Sequence, residues 1–230
     1  TMGNNHFIMR AIQNGEWEKA RDYIAWLLDA TKGYAIKVVN PGGVENWKWG
    51  KNVSDLDDEV IGFGVTPRQI LETLSRANDE LGLPHVPHIH GLRLGQSGNA
   101  ASTVQMIESF EGRRAHLCHL QFLSYDGEGG RMRSGAERVA KAINDHRNVT
   151  VDIGQVIFGP VTTMTSDGPL EYRLHTLTGR KWLNDDVEGE AGGGVVPMTY
   201  EAKNPVNGIQ WLTGMELFLL IDDPWRVFLT

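Results

Sequence analysis

Residues 34–39 read Tyr-Ala-Ile-Lys-Val-Val and are closed by Asn40-Pro41-Gly42-Gly43. The run is short, β-branched and followed by strong turn formers, so it reads as a strand. Side chains alternate along a strand: Ile36 and Val38 share one face, while Ala35, Lys37 and Val39 share the other. Upstream, Trp17, Ala20, Ile24, Leu27 and Leu28 recur at helical spacing within residues 16–31. Downstream, Thr66 as cap, Pro67 in the first turn and Gln69 completing a capping box open a helix. Its apolar stripe is Ile70, Leu71, Leu74, Ala77 and Leu81. The same alternation continues along the chain. Residues 87–91 read as a strand, 100–110 as a helix and 115–122 as a strand. Ser134 and Glu137 form a capping box before a helix that presents Ala136, Val139, Ala140 and Ile143. Residues 149–153, 156–158 and 225–229 are strand-like, and 179–204 are irregular. Strands alternating with such helices predict an α/β fold with a parallel sheet, whose functional residues lie at the C-terminal strand ends.

Composition narrows the function. The 230 residues are 40% hydrophobic and 22% charged, which is enough apolar material for a sizeable core. The net charge of −7, from 22 basic and 29 acidic residues without a basic cluster, argues against nucleic acid as a partner. The single cysteine, Cys118, excludes an intramolecular disulfide framework and a four-cysteine zinc site. The longest apolar runs, such as 217–221, are too short to cross a bilayer, and the first residues lack a signal-peptide pattern. A cytoplasmic protein with no membrane partner is the expectation.

Against this background three strand ends stand out. Lys37 is flanked by apolar groups on its face and points into the interior of a sheet or barrel, where an unpaired ammonium is costly. Two readings are open. The stem carries the charge to solvent or to a carboxylate; or the amine is neutral, as a nucleophile or, after reaction with carbon dioxide, as a metal-ligating carbamate. On the next strand, His88-Ile89-His90 puts two imidazoles on one face, and such a pair can converge on one ion. One strand later comes His116-Leu117-Cys118-His119. Residues three apart on a strand face opposite ways, so at most one of these histidines joins the interior set. His119 is favoured, because Gln121 then follows on the same side to orient a ligand or substrate. Each histidine alone reads as a hydrogen-bonded structural residue; lysine, histidine and histidine ending three successive strands are hard to obtain from core packing. Asn40, Gln121 and Gln155 are candidate substrate contacts, and Asp152, near a strand end like Gln155, is placed to touch substrate as well. Trp47 and Trp49 suit either partner contacts or packing beneath a loop, and Gly192, Gly193 and Gly194 suit a flexible surface loop better than a substrate path.

Several long blocks carry a resemblance: 33–50 (GYAIKVVNPGGVENWKWG), 81–95 (LGLPHVPHIHGLRLG), 115–125 (AHLCHLQFLSY), 149–167 (VTVDIGQVIFGPVTTMTSD), 204–211 (NPVNGIQW) and 223–230 (DPWRVFLT). Over nearly the whole chain the sequence resembles the A-type subunit of formylmethanofuran dehydrogenase and its bacterial counterpart, the hydrolase subunit of the formyltransferase/hydrolase complex of one-carbon metabolism. The resemblance implies the amidohydrolase superfamily, a TIM-like (β/α)8 barrel with metal at the strand ends. That family's site uses an HxH pair on the first strand, a carboxylated lysine on the fourth, histidines on the fifth and sixth, and an aspartate on the eighth. Carried over, the lysine falls on Lys37, the fifth-strand histidine on His90 and the sixth on His119, with His88 and His116 as second choices. The implied cofactors are one or two zinc ions and carboxylated Lys37.

Residues 1–230 then correspond to a single partial barrel domain, lacking its first strands and its eighth-strand end. The HxH pair falls before Thr1 and the general-base aspartate just after Thr230, leaving no catalytic residue within the chain and implying a piece inactive by itself. Gly91-Leu92-Arg93 stands where the family commonly has Cys-Asn-Asn. The activity implied is metal-dependent hydrolysis, or formation, of the N-formyl amide of a methanofuran-type coenzyme, releasing formate. The implied partners are that coenzyme and the other subunits of the complex. Two alternatives accompany it: the A-type subunit of an archaeal formylmethanofuran dehydrogenase, and a non-catalytic scaffold piece of the same complex.

Overall fold

The computed structural model describes residues 2–128, 132–154, 160–163, 196–199 and 205–229. Its centre is a five-stranded parallel sheet of β1 (Lys37–Val39), β2 (His88–His90), β3 (Ala115–Leu117), β6 (Val149–Ile153) and β9 (Val227–Leu229), in that spatial order. Pairing is in register from strand to strand: Lys37 opposes His88, His88 opposes His116, and His116 opposes Thr150. The face carrying Val38, Ile89, Leu117 and Val151 is fully buried. It joins one apolar cluster with Ile70 and Leu74 of α4 (Pro67–Glu80), Ile107 of α5 (Asn99–Ser109) and Ile143 of α6 (Ala136–Asp145). The opposite face carries the polar side chains.

The local signals explain most of these elements. Thr66 and Gln69 do form a reciprocal capping box, and Pro67 occupies the first turn of α4. The helix expected over 16–31 is α2 (Trp17–Thr31), ended by Lys32 in the left-handed conformation. Before it lies α1 (His6–Gln13), which the apolar periodicity did not announce. Its signal is Asn5, whose side chain accepts from the amides of Phe7 and Ile8. The long loop after β1 opens with a helical turn, α3 (Gly43–Asn46), followed by a 3-10 turn over Trp47–Trp49. An apolar helix not foreseen, α7 (Pro205–Leu220), packs against α6.

Three expectations need correction. The 115–122 strand stops at Leu117, because His119 adopts φ 57° and opens a 3-10 turn over Leu120–Leu123. Ser134 does not cap α6 through a box: Gly135 is the capping residue, and the Ser134 hydroxyl donates to Glu216 of α7. Part of the irregular 179–204 stretch is strand, β8 (Val196–Thr199), paired antiparallel with β7 (Pro160–Thr163). β4 (Tyr125–Asp126) and β5 (Arg133–Ser134) form a second antiparallel pair beside the sheet. Residues 156–158, Gln155 and Gly192 to Gly194 lie outside the described residues.

Two buried polar groups tie the strand ends together. The side chain of Asn99, fully buried at the start of α5, donates to the carbonyls of Arg93 (2.8 Å) and Phe122 (2.7 Å) and accepts from the Tyr125 amide (2.8 Å). It thereby locks the loop after β2, where Arg93 sits at φ 53°, onto the segment after β3. Arg226, 7% exposed, donates to the carbonyls of Ile143 (2.9 Å) and Val149 (3.2 Å), anchoring the approach to β9 against the end of α6 and the start of β6.

Candidate metal centre

The polar face of the sheet brings together side chains far apart in sequence. Lys37, His88, His116 and Thr150 form one row across four strands, by register. One pleat further on lie His90, Cys118 and Asp152. The Lys37 amine donates to Cys118 Sγ at 3.2 Å. Among the described residues no carboxylate lies within ion-pair distance of Lys37, so the reading in which it pairs with an acid is not what this arrangement provides. The rings of His88 and His116 lie 4.7 Å apart, and those of His90 and His119 lie 5.1 Å apart in an edge-on contact.

Asp152 organises the cluster. Its Oδ1 accepts from the His119 backbone amide at 2.7 Å and lies 3.3 Å from that residue's ring Nδ1. Its Oδ2 lies 3.2 Å from His116 Nε2, whose other nitrogen faces Thr150 Oγ1 at 2.9 Å. Burial raises the Asp152 carboxyl, but the hydrogen bonds from His116 and His119 outweigh it and hold the group well below the usual carboxylate range. Burial, with the charges of His119 and Lys37 added, pushes His90 down to about 3, so its ring is uncharged at neutral pH and keeps a lone pair for a metal. His88 is lowered by the same kind of causes, burial first and then His116 and Lys37.

Both His116 and His119 therefore join the set, against the alternation argument, which admitted one. His116 does so as a strand residue. His119 does so because the chain leaves the strand after Leu117, and the left-handed turn swings its ring back over the strand ends. Gln121 and Asn40 are placed differently from the expectation. Gln121 is fully buried, donating to the Gly154 carbonyl (2.6 Å) and accepting from the Gly154 amide (3.3 Å), so it ties the turn after β3 to the end of β6. Asn40, 1% exposed, closes the end of β1: its amide donates to the His90 carbonyl at 2.9 Å and its side chain to Asn52 at 3.0 Å. Asp152 and Cys118 are the residues whose weight sequence reasoning undervalued. The available signal was their parity, since each shares a strand face with a residue already singled out.

This donor set has the chemistry to hold a divalent ion: imidazoles, an amine and an ionised carboxylate converge on one face. A parallel sheet with such a cluster of candidate ligands at its strand ends places the chain among the α/β proteins. The chain belongs to the amidohydrolase family, whose pattern matches residues 1–227. It is 44% identical over 229 residues to protein FwdA of Methanocaldococcus jannaschii, covering 94% of this chain and 40% of that protein. It is 38% identical over 242 residues to the A component of the formyltransferase/hydrolase complex Fhc of Methylorubrum extorquens, covering 100% of this chain and 43% of that one. The crystal structure of the FhcABCD formyltransferase/hydrolase complex from M. extorquens, in complex with methylofuran, superposes with a TM-score of 0.83 at 34% identity, over 100% of this chain and 43% of that chain. The chain thus spans about two fifths of the length of these relatives. No helix among the described residues is long and apolar enough to cross a membrane.

Proposed function

We propose that this chain supplies the central strands of a metal-dependent hydrolase that cleaves the N-formyl amide of a methanofuran-type coenzyme, giving formate and the free amine, within a larger multi-subunit assembly. The observation that carries this reading is the convergence of Lys37, His90, His119 and Asp152 at adjacent strand ends, in a chain related to a component of a complex that holds methylofuran. In this proposal Lys37, as a carbamate, His90 and His119 hold zinc. When bound, such an ion polarises the formyl oxygen and lowers the pKa of a water molecule towards neutrality.

The chain's own residues do the rest. Asp152 takes up Nδ1 of His119 and so leaves Nε2 as the donor nitrogen, the usual role of a carboxylate behind a metal-binding histidine. His90 stays uncharged throughout the physiological range and needs no proton displaced. Lys37, facing a thiol instead of a carboxylate, is the amine on which the carbamate would form. The apolar residues beneath the polar face, Val38, Ile89 and Leu117, keep water from reaching the site through the sheet.

The test is metal content and formate release by the full-length protein in its assembly. Lys37→Ala is expected to lose the bound zinc and at least 100-fold in formate release from the N-formyl coenzyme. Undiminished zinc and activity in that variant would overturn the ligand role.

A further inference from the structure

The cluster holds a donor that the proposed carbamate site does not use. Cys118 is 4% exposed, lies on the same face as His88 and His116, and has its sulfur 3.2 Å from the Lys37 amine. One nitrogen each of His88 and His116 and the Cys118 sulfur all lie within 4.8 Å of one another. Donors on a tetrahedral zinc, with bonds of about 2.0–2.3 Å, stand roughly 3.3–3.6 Å apart, so these three close on one ion by moving inward about 1 Å. Thr150 Oγ1, 2.9 Å from His116 Nδ1, can brace the ring from that side, which would leave Nε2 as the donor nitrogen. Asp152 Oδ2, 3.2 Å from His116 Nε2, lies where a fourth oxygen donor would stand. His88 is exposed, which leaves the position open to solvent on one side.

We propose that His88, His116 and Cys118 form a thiolate-bearing metal position, with a preference for zinc and other thiophilic divalent ions over hard, oxygen-seeking ones such as magnesium. The inference rests on the metal-dependent reading for its purpose and adds a ligand outside that reading's lysine–histidine set. The chemistry is ligand exchange without redox: the thiol proton leaves to solvent as the sulfur–metal bond forms, and three waters of the hydrated ion give way to the sulfur and the two imidazole nitrogens. Thiol burial opposes a bare thiolate, and the bound cation removes that opposition.

The test uses the intact, metal-stripped protein titrated with cobalt(II), whose thiolate complexes show an intense near-ultraviolet sulfur-to-cobalt charge-transfer band. The band is expected in the wild type and lost in Cys118→Ser, with the circular dichroism spectrum unchanged and one equivalent of cobalt fewer. His88→Gln, at an exposed position and so safe for folding, is expected to weaken cobalt binding at this position at least tenfold. Cobalt bound with no charge-transfer band, or a band that survives Cys118→Ser, overturns the thiolate position and leaves the lysine–histidine reading standing. No cobalt bound at all overturns both.

Discussion

Asp152 grips His119 at two points with one oxygen, which accepts the backbone amide at 2.7 Å and lies 3.3 Å from ring Nδ1. A carboxylate from β6 thus sets both the turn of the chain after β3 and the direction of the imidazole at its tip. The second carboxylate oxygen does the same for the His116 ring. One residue therefore orients two imidazoles that local sequence cannot orient.

Asp152→Asn keeps the shape but loses the charge, and its amide hydrogens meet ring nitrogens that need an acceptor. Metal affinity is expected to fall by about 10–100-fold, the usual loss when the group behind a metal-binding histidine is removed. Zinc titration against a competing chelator measures this directly. An unchanged affinity would mean that neither histidine depends on Asp152 for its orientation.

His90 gives a pH dependence with a definite sign. Its folded pKa, about 3, lies below the value of about 6.5 for an unfolded histidine, so between these values the unfolded chain binds the extra proton. Stability of the metal-free protein is therefore fully present above about pH 6.5 and is lost as pH falls towards 3, with a slope from this group of at most about 1.4 kcal/mol per pH unit. His90→Gln removes that slope. Urea midpoints from pH 7 to pH 4.5 are expected to fall less steeply in the variant than in the wild type.

Gly91 follows the site histidine directly, and its lack of a side chain has a packing cause. A Cβ there would lie 2.8 Å from Met106 Cε and 3.0 Å from Leu123 Cδ1. Gly91→Cys is expected to cost about 1–3 kcal/mol by overpacking. Met106→Ala in the same chain should recover part of that loss, and a double-mutant cycle on denaturation midpoints would show the coupling. Additive effects would place the strain elsewhere.

Asn99 joins three backbone groups with one buried amide. Asn99→Ala removes the acceptor of the Tyr125 amide, while the Arg93 and Phe122 carbonyls keep the amides of Gln96 and Gly95, so the cost is roughly 1–3 kcal/mol. The expected result is a large drop in the thermal midpoint, with earlier hydrogen exchange in the loops after β2 and β3 than in α2. A shift under about 1 kcal/mol would show that water replaces the amide at little cost.

The α2 and α4 helices, the capping box at Thr66 and Gln69, and the faces of β1 and β2 were legible in the sequence, because each rests on contacts between residues close along the chain. So was the parity that sets Lys37, His88 and His90 on one side of the sheet. The α1 and α7 helices were less legible: α1 is announced chiefly by its Asn5 cap, and α7 is apolar on most of its surface, so that no stripe marks it.

By itself, then, the sequence determined the alternation of helix and strand and the residue types available at the strand ends, since both follow from local periodicity and from side-chain chemistry. Only the tertiary structure decided that His116 and His119 both meet Asp152, that Lys37 faces a sulfur, and that Gln121 turns inwards. The reason is physical: strands of three residues end where hydrogen bonds from other segments end them, as the Asp152 carboxylate does 33 residues away. Which side chains meet is then set by the register between distant segments, and that register arises from packing the whole sheet against its helices.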